Sequence, residues 1–316
     1  MTLFRLVIGR VLLSLVTLLL VSFIVFSMLE ILPGDVATRI LGRDATEESL
    51  ATLRDRLGLD RPALLRYGEW LGNMVTGDFG QSLVSGRRVA EILGPRIFNT
   101  VLLSVYAFLL YLPLTLIPAI IQAVRRDRTI DHGLSAVTLV LLSMPDFLLA
   151  TVLMIIFVMA LPVFPAMSMV DQSSGWLEYI KAMTLPAVTL ALVMAVYAVR
   201  MLRDNLIEVL DSDYVRMAEL KGMPARRVLL RHALPNALIP TLNVTALNLA
   251  YLVGGVVVVE KVFGYPGFGS LLVDSLQLRD LHVIEATVVL AASVYIAANL
   301  LADAAAILLN PRLRNG

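Results

Sequence analysis

Few side chains in this sequence could act chemically inside its long apolar segments. Asp146 lies in the middle of an apolar run, directly after Pro145, whereas Glu30 and Asp303 lie near the ends of other runs. A carboxylate at the centre of a bilayer costs about 2.5–3.5 kcal/mol on insertion scales, so it has to face protein or a water-filled path. We expect structural or interfacial roles for Glu30 and Asp303. For Asp146 two interpretations stay open, a place on a solute path or a pairing within a helix bundle.

A later apolar run carries two further polar side chains, Asn243 and Asn248, and the glycine pair Gly254-Gly255. Asparagine in an apolar helix can hydrogen-bond to a neighbouring helix, and small residues let two helices approach closely. The asparagines could equally form a polar wall along a solute route, and both interpretations stay open. The candidate residues for a translocation path are therefore Asp146, Asn243 and Asn248.

No motif for catalysis or metal binding is present. The sequence has no cysteine, and its three histidines, His132, His232 and His282, are too far apart to match the spacing of metal ligands. The patterns GxxxxGK[ST], GxSxG and HExxH and the EF-hand loop are absent. We predict no catalytic residue, no metal ligand and no cofactor bound by this chain.

The composition is that of a membrane protein. Hydrophobic residues make up 58% of the 316 positions and charged residues only 16%, with a net charge of +1. A soluble chain this apolar would expose large apolar patches, which soluble monomers avoid. The near-neutral charge also excludes a strongly basic nucleic-acid binder. The fold class expected is all-α and integral to a membrane.

Six apolar runs are long enough to cross a bilayer core of about 30 Å as helices. They cover residues 11–29, 97–124, 133–161, 182–199, 233–259 and 286–302, the last extending to about 309. No small-residue cleavage site follows the first run, so we expect an uncleaved span there. Lysine and arginine are in excess in alternate flanks, which places both termini on the inner side.

These spans divide the chain into four parts. Residues 1–32 form an inner N-terminus with the first span, and 33–96 form a long outer loop with short helices. Residues 97–309 form a core of five spans that includes an inner hairpin at 200–235 and an outer loop at 260–285. Residues 310–316 form an inner tail.

The outer loops themselves show helix signals. A helix capped by Thr46 or Asp44 and stopped at Gly58 is expected, followed by a second over about 62–74 that places Trp70 at the membrane interface. After a Gly- and Pro-rich turn at 260–269, a partly amphipathic stretch to Leu278 predicts a helix lying on the outer surface.

The inner segment carries the strongest local pattern. Asp213 precedes a short helix expected over about 214–221, Gly222 can end it with a positive φ, and Pro224 suits the first turn of a second helix. Pro235 is expected to end or kink that second helix before the fifth span.

A protruding helical hairpin of this kind buries little apolar area by itself. Its side chains Tyr214, Val215 and Ala218 therefore need a partner surface, and a groove in another protein is one known solution. The alternative is that the hairpin packs on its own spans.

Residues 213–237 resemble the inner-side motif of permease subunits from bacterial binding-protein-dependent ABC importers. That motif reads Glu-Ala-Ala, three residues, Gly, nine residues, Ile, one residue, Leu-Pro. Four positions match it, namely Ala218, Gly222, Leu234 and Pro235, and three depart, namely Arg216, Met217 and His232. Peptide-type members depart in the same way, so the chain is most similar to the first permease subunit of the dipeptide/oligopeptide/nickel group.

Further stretches of the chain resemble the same group. They are Leu32-Pro33-Gly34-Asp35, residues 57–62, residues 77–82, a set between Gly254 and Asp280, and, near the end of the chain, Asp303 together with Asn310-Pro311-Arg312. The resemblance therefore covers nearly the whole chain.

The resemblance implies a type I importer permease in the bacterial inner membrane. Its implied partners are a second homologous permease, two cytosolic ABC ATPase domains that hold ATP and Mg²⁺, a periplasmic or lipid-anchored solute-binding protein, and membrane lipid. The hairpin would seat in an ATPase groove as a coupling helix. The residues assigned to this coupling are Asp213, Tyr214, Val215, Arg216, Ala218, Lys221, Gly222, Pro224, Leu234 and Pro235.

Short peptides are the solute that the motifs favour. The same machinery importing nickel chelates, opines or oligosaccharides stays open as an alternative. A secondary transporter is a distant one, because the sequence shows no internal repeat and only one convincing acid near the midplane.

Overall fold

The computed structural model describes residues 3–31, 45–56, 61–169, 175–254 and 256–309, and there every regular element is a helix. Several predicted features lie outside these residues: the Asp44 cap, the Gly58 stop, Leu32-Pro33-Gly34-Asp35, residues 57–60, Gly255 and Asn310-Pro311-Arg312. The side chains of Asn243 and Asp303 are also outside the description, although both residues are helical.

In chain order the helices run as follows. They are α1 (Leu3–Ile31), α2 (Glu47–Arg56), α3 (Ala63–Val75), α4 (Val89–Val124), α5 (Thr129–Ser143), α6 (Asp146–Met154), α7 (Trp176–Leu210), α8 (Asp213–Leu220), α9 (Ala225–Val228), α10 (Leu234–Gly254), α11 (Val256–Val262), α12 (Phe268–Leu278) and α13 (Leu281–Leu309). Two π-helical turns, Ile155–Ala160 and Leu229–Ala233, follow α6 and α9.

Three described helices are long and apolar enough to cross a membrane. They are α1 over Leu12–Ile31, α4 and α7, and the pair formed by α5 and residues 146–160 is a further candidate if it counts as one bent span. The predicted fifth and sixth spans fall in α10, α11 and α13, which are helical. The count of six spans stays a prediction.

The third predicted span is not one continuous helix. α5 ends at Ser143, Met144 is extended (φ −91°, ψ 127°), and the axis bends by 112° before α6 continues. Pro145 explains the break, because proline disfavours the helical conformation in the residue before it and offers no backbone N–H. The expectation of a single helix over residues 133–161 is corrected accordingly.

The chain divides into two compact units. The first comprises residues up to Asn99 and from Gly267 onward, and the second comprises Thr100–Pro266. In the second unit α7 lies at the centre and packs against α5, α6, α10 and α11. The fully buried alanines of α7 leave room for this close packing, since small residues let helices approach; they are Ala187, Ala191, Ala195 and Ala198.

In the first unit, α1 packs against α3 and α13. Phe26 of α1 lies against Tyr67 and Trp70 of α3, with ring centroids 5.4 and 6.3 Å away. The helices predicted over about 62–74 and up to Leu278 are confirmed as α3 and α12, and their outer location stays a prediction. Thr46 is confirmed as the cap of α2, because its Oγ1 accepts a hydrogen bond from the Ser49 N–H (3.3 Å).

Candidate coupling hairpin and transport site

The predicted hairpin forms as a short helix closed by a left-handed glycine. α8 follows Ser212, which is extended, and ends at Leu220. Gly222 has φ +76°, and the Met223 N–H then bonds back to the Ala218 carbonyl at 3.3 Å. A Cβ on Gly222 would meet no atom within 4 Å. The position therefore requires glycine for its backbone conformation and not for space.

One face of α8 packs on the chain's own helices. Val215 is fully buried and Ala218 nearly so, in a cluster with Leu202 and Leu206 of α7 and Val228 of α9. Of the two alternatives left open by the sequence, Val215 and Ala218 show the second, because their partner surface is formed by the chain's own helices. Their neighbours come from the continuation of α7 beyond the apolar run and from the return leg of the hairpin, which fold back onto the short helix.

Tyr214 behaves differently from its two neighbours. Its hydroxyl accepts a hydrogen bond from Asn236 Nδ2 (3.1 Å), and Asn236 also donates to the His232 carbonyl (2.8 Å). The ring itself is 47% exposed. The hydroxyl thus fastens the start of α8 to α10, while the apolar ring faces outward.

The opposite face of α8 is apolar and open. Tyr214, Met217 and Leu220 are spaced three residues apart, which places them along one side of a short helix, and Leu220 is 81% exposed. An exposed apolar row on a helix is typical of a surface that docks into a groove of another protein. Basic side chains at Arg216 and Lys221 border it.

The return leg enters the next long helix without a break. α9 follows Pro224, the π turn Leu229–Ala233 continues it, and α10 starts at Leu234. Pro235 therefore does not end the helical path, which corrects the first half of that expectation, and the kink stays a prediction. In a π turn the hydrogen bonds join residues five apart instead of four. This shifted pattern accommodates the carbonyl that the missing proline N–H leaves without a donor.

A buried ion pair that sequence reasoning missed fastens α7 to α5. Arg203 donates through Nε to Asp131 Oδ1 (2.8 Å) and through Nη2 to Oδ2 (2.6 Å), and the Asp127 N–H also bonds Oδ2 (3.1 Å). The Asp131 side chain is only 2% exposed. Both residues lie in charge-rich stretches, 72 positions apart, so no local pattern separates them from solvent-facing charges.

The described path candidates are both hydrogen-bonded inside the second unit. The Tyr251 hydroxyl of α10 donates to Asp146 Oδ2 at the start of α6. Asn248 Nδ2 donates to the Met194 carbonyl of α7 (3.1 Å). Asp146 and Asn248 are therefore hydrogen-bonded to neighbouring helices. Of the two interpretations left open by the sequence, these bonds correspond to packing between helices.

Several other buried polar groups are paired in the same manner. Thr100 Oγ1 donates to the fully buried Glu260 (2.6 Å), and the hydroxyls of Tyr111 and Thr245 lie 2.9 Å apart. Glu30 forms an ion pair with Arg66, which confirms its structural role. Within the described ranges, no three His, Asp or Glu side chains are grouped so that they could hold a metal ion.

Long apolar helices joined by buried hydrogen bonds, with a short helix that is packed on one face and open on the other, are features of an integral membrane protein. The chain belongs to the family described as binding-protein-dependent transport system inner membrane component, which residues 112–315 match. Residues 3–117 match the N-terminal family of the same transport systems. The resemblance found in the sequence is confirmed, and the chain is a permease subunit of an ABC transporter and not an enzyme in itself.

Curated relatives align over nearly the whole chain. A putative peptide transport system permease protein of Brucella abortus is 35% identical over 312 residues, 98% of each chain. A glutathione transport system permease protein of Escherichia coli K12 is 36% identical over 308 residues, again 98% of each. A probable peptide ABC transporter permease protein of Sinorhizobium fredii is 32% identical over the same length and share.

Proposed function

We propose that this chain is one of two permease subunits that form the path of an ATP-driven importer for short peptides. Relatives from three genera are named for peptide or glutathione transport, and glutathione is itself a peptide. The proposal includes six spans, both termini in the cytoplasm, a periplasmic loop at 33–96 and a second at 260–285. A periplasmic or lipid-anchored binding protein delivers the peptide, and the cytosolic ATPases supply ATP and Mg²⁺.

The open face of α8 is the observation that carries the coupling part of this proposal. Tyr214, Met217 and Leu220 form the contact with an ATPase groove, while Val215 and Ala218 hold the helix on the permease. Both ends of the hairpin are attached to long helices, since α7 ends at Leu210 and the return leg continues into α10. A rigid displacement of α8 is therefore passed directly to α7 and α10.

The open face gives a direct test. Leu220→Glu changes an 81% exposed side chain, so the permease should fold normally and lose its ATPase partners in gentle detergent. Val84→Glu is the matched control, because Val84 is 51% exposed and lies in the proposed periplasmic loop. Retention of the ATPases by Leu220→Glu at the wild-type level would contradict the proposed coupling surface.

A further inference from the structure

A cavity of about 250 Å³ lies within the first unit, between α1, α3 and the start of α13. Its wall combines aromatic rings with charges of both signs, including Phe26, Arg61, Arg66, Glu69, Trp70 and Glu285. Sites for drug-sized ligands are about 300–1,000 Å³. This cavity therefore suits a small group, such as the end of a peptide, better than a whole oligopeptide.

The two arginines of the cavity already have acidic partners. Arg61 donates to both carboxylate oxygens of Glu69, at 2.8 and 2.5 Å, and this hydrogen-bonded guanidinium lowers the pKa of Glu69 below its usual range. Arg66 is bound to Glu30. Both guanidinium groups are thus already charge-paired with carboxylates of this chain.

Glu285 is the acidic group left over. It is 5% exposed and borders the cavity, and the hydrogen bonds and ion pairs of the described residues include none to its carboxylate. Arg66 acts on it only through its charge. Burial disfavours the charged form of a carboxyl group, so a cation that reaches Glu285 favours its carboxylate.

The residues that line the cavity with Glu285 determine which kind of cation fits there. A metal ion needs several ligands, and no group of three acidic or histidine side chains is found among the described residues. Trp70 and Phe26 instead offer aromatic faces, which attract organic ammonium groups through cation–π interaction. A cavity lined by one carboxyl group without a bonded partner and by aromatic rings matches a primary ammonium.

We infer that this cavity binds the N-terminal ammonium of a short peptide, with Glu285 as the accepting carboxylate and Trp70 beside it. The inference rests on the proposed orientation, which places the cavity on the periplasmic side, where the peptide arrives. It assigns to the permease a peptide-end site in the first unit, separate from the candidate path residues.

The two tryptophans of the sequence make binding measurable. Trp176→Phe leaves Trp70 as the only tryptophan, so its fluorescence reports on the cavity. The full chain in detergent micelles, which add no tryptophan, is titrated with tri-alanine, tri-alanine amide and N-acetyl-tri-alanine. Tri-alanine and its amide should saturate the signal, and the acetylated peptide, which has no ammonium, should bind at least about tenfold more weakly.

Variants then assign the site to Glu285. Glu285→Gln keeps the size and removes the charge, so the apparent Kd for tri-alanine should rise at least about tenfold. Glu91→Gln, an exposed acid of the same unit away from the cavity, should leave it unchanged. Glu285→Asp retracts the carboxylate and should give an intermediate Kd, which keeps the test informative if Glu285→Gln fails to fold.

Equal binding of the acetylated peptide, an unchanged Kd in Glu285→Gln, or no saturable response of Trp70 would overturn the inference. These titrations need neither ATP nor ATPases. A negative titration together with intact ATP-dependent uptake therefore refutes the cavity alone, whereas loss of partner ATPases from the wild-type chain refutes the proposed function.

Discussion

At the scale of single residues, the most informative contact is the ion pair between Asp131 and Arg203. Asp131 accepts four hydrogen bonds in all, two from Arg203, one from the Asp127 N–H and one from Ser135 Oγ (3.5 Å). Arg203 lies in the last part of α7, just before the hairpin. The ion pair therefore holds the helix that bears the coupling element against α5.

Removing the acid of this pair should destabilise the permease. Asp131→Asn leaves Arg203 with an uncompensated charge in a mostly buried position, which typically costs about 3–5 kcal/mol. We expect the apparent midpoint of thermal unfolding in detergent to fall by several degrees.

The matched control for that substitution is Asp211→Asn. Asp211 pairs with Arg126, and both side chains are about half exposed (60% and 49%). Exposed pairs contribute about 0–1 kcal/mol, so the midpoint should hardly move. Equal unfolding midpoints for the two variants would refute the stabilising role assigned to Asp131.

The two interpretations of Asp146 can be separated through its partner. If Asp146 serves to hold Tyr251, then Tyr251→Phe removes the same hydrogen bond and should lower peptide uptake as much as Asp146→Asn does. If Asp146 meets the solute, Asp146→Asn lowers uptake and Tyr251→Phe does not. The structure favours the first result, and uptake at equal expression measures it.

The sequence predicted which polar residues would be unusual but not their partners. Asp146 and Asn248 are conspicuous in apolar runs, whereas their partners, Tyr251 and the Met194 carbonyl, carry no local signal. Glu285 was overlooked for the opposite reason. It lies at the edge of an apolar run, where an acid is ordinary, and only the folded unit encloses it.

At the scale of elements, α8 shows how much of a helix a local sequence pattern can predict. The positive φ of Gly222 and the helix start at Pro224 are confirmed, and the expected acid lies in the first turn of α8 and not before it, because these features depend on neighbours in sequence. The division of its side chains into a packed and an open face depends on α7 and α10. No reading of residues 213–224 alone could supply it.

Gly222 provides the sharpest test of that element. Gly222→Val has space for its side chain but places a β-branched residue at φ +76°, at a cost of about 1–2 kcal/mol or more. We expect reduced recovery of the ATPases with the purified permease. Gly222→Asn should keep them, because asparagine tolerates the left-handed region; recovery with valine equal to that with asparagine would count against the account.

Proline had two different outcomes in long helices. Pro145 broke the third predicted span: the residue before it, Met144, is extended, and the helix axis bends there by 112°. Pro235 caused no break, because it sits in the first turn of α10 behind a π turn. The sequence identifies a proline in a helix, but the local backbone around it decides between a break and a continuous helix.

At the scale of the whole molecule, the proposed orientation can be read with single cysteines. The natural sequence has no cysteine, so every label reports only the introduced site. Arg87→Cys lies in the proposed periplasmic loop and Glu219→Cys in the proposed cytosolic hairpin, and both positions are exposed. A membrane-impermeant maleimide should label the first in intact cells and the second only after lysis. The reverse pattern would invert the topology.

The central claim is that this permease works only as part of an ATP-driven complex. The most direct measurement is purification of the wild-type chain from native membranes in gentle detergent, with identification of the co-purifying chains and an assay of ATP hydrolysis, beside Gly222→Pro. We predict that a second permease and ATPase chains accompany the wild type and that the proline variant loses them or hydrolyses ATP without transport. A wild-type chain that purifies alone and moves peptide without ATP would contradict the account.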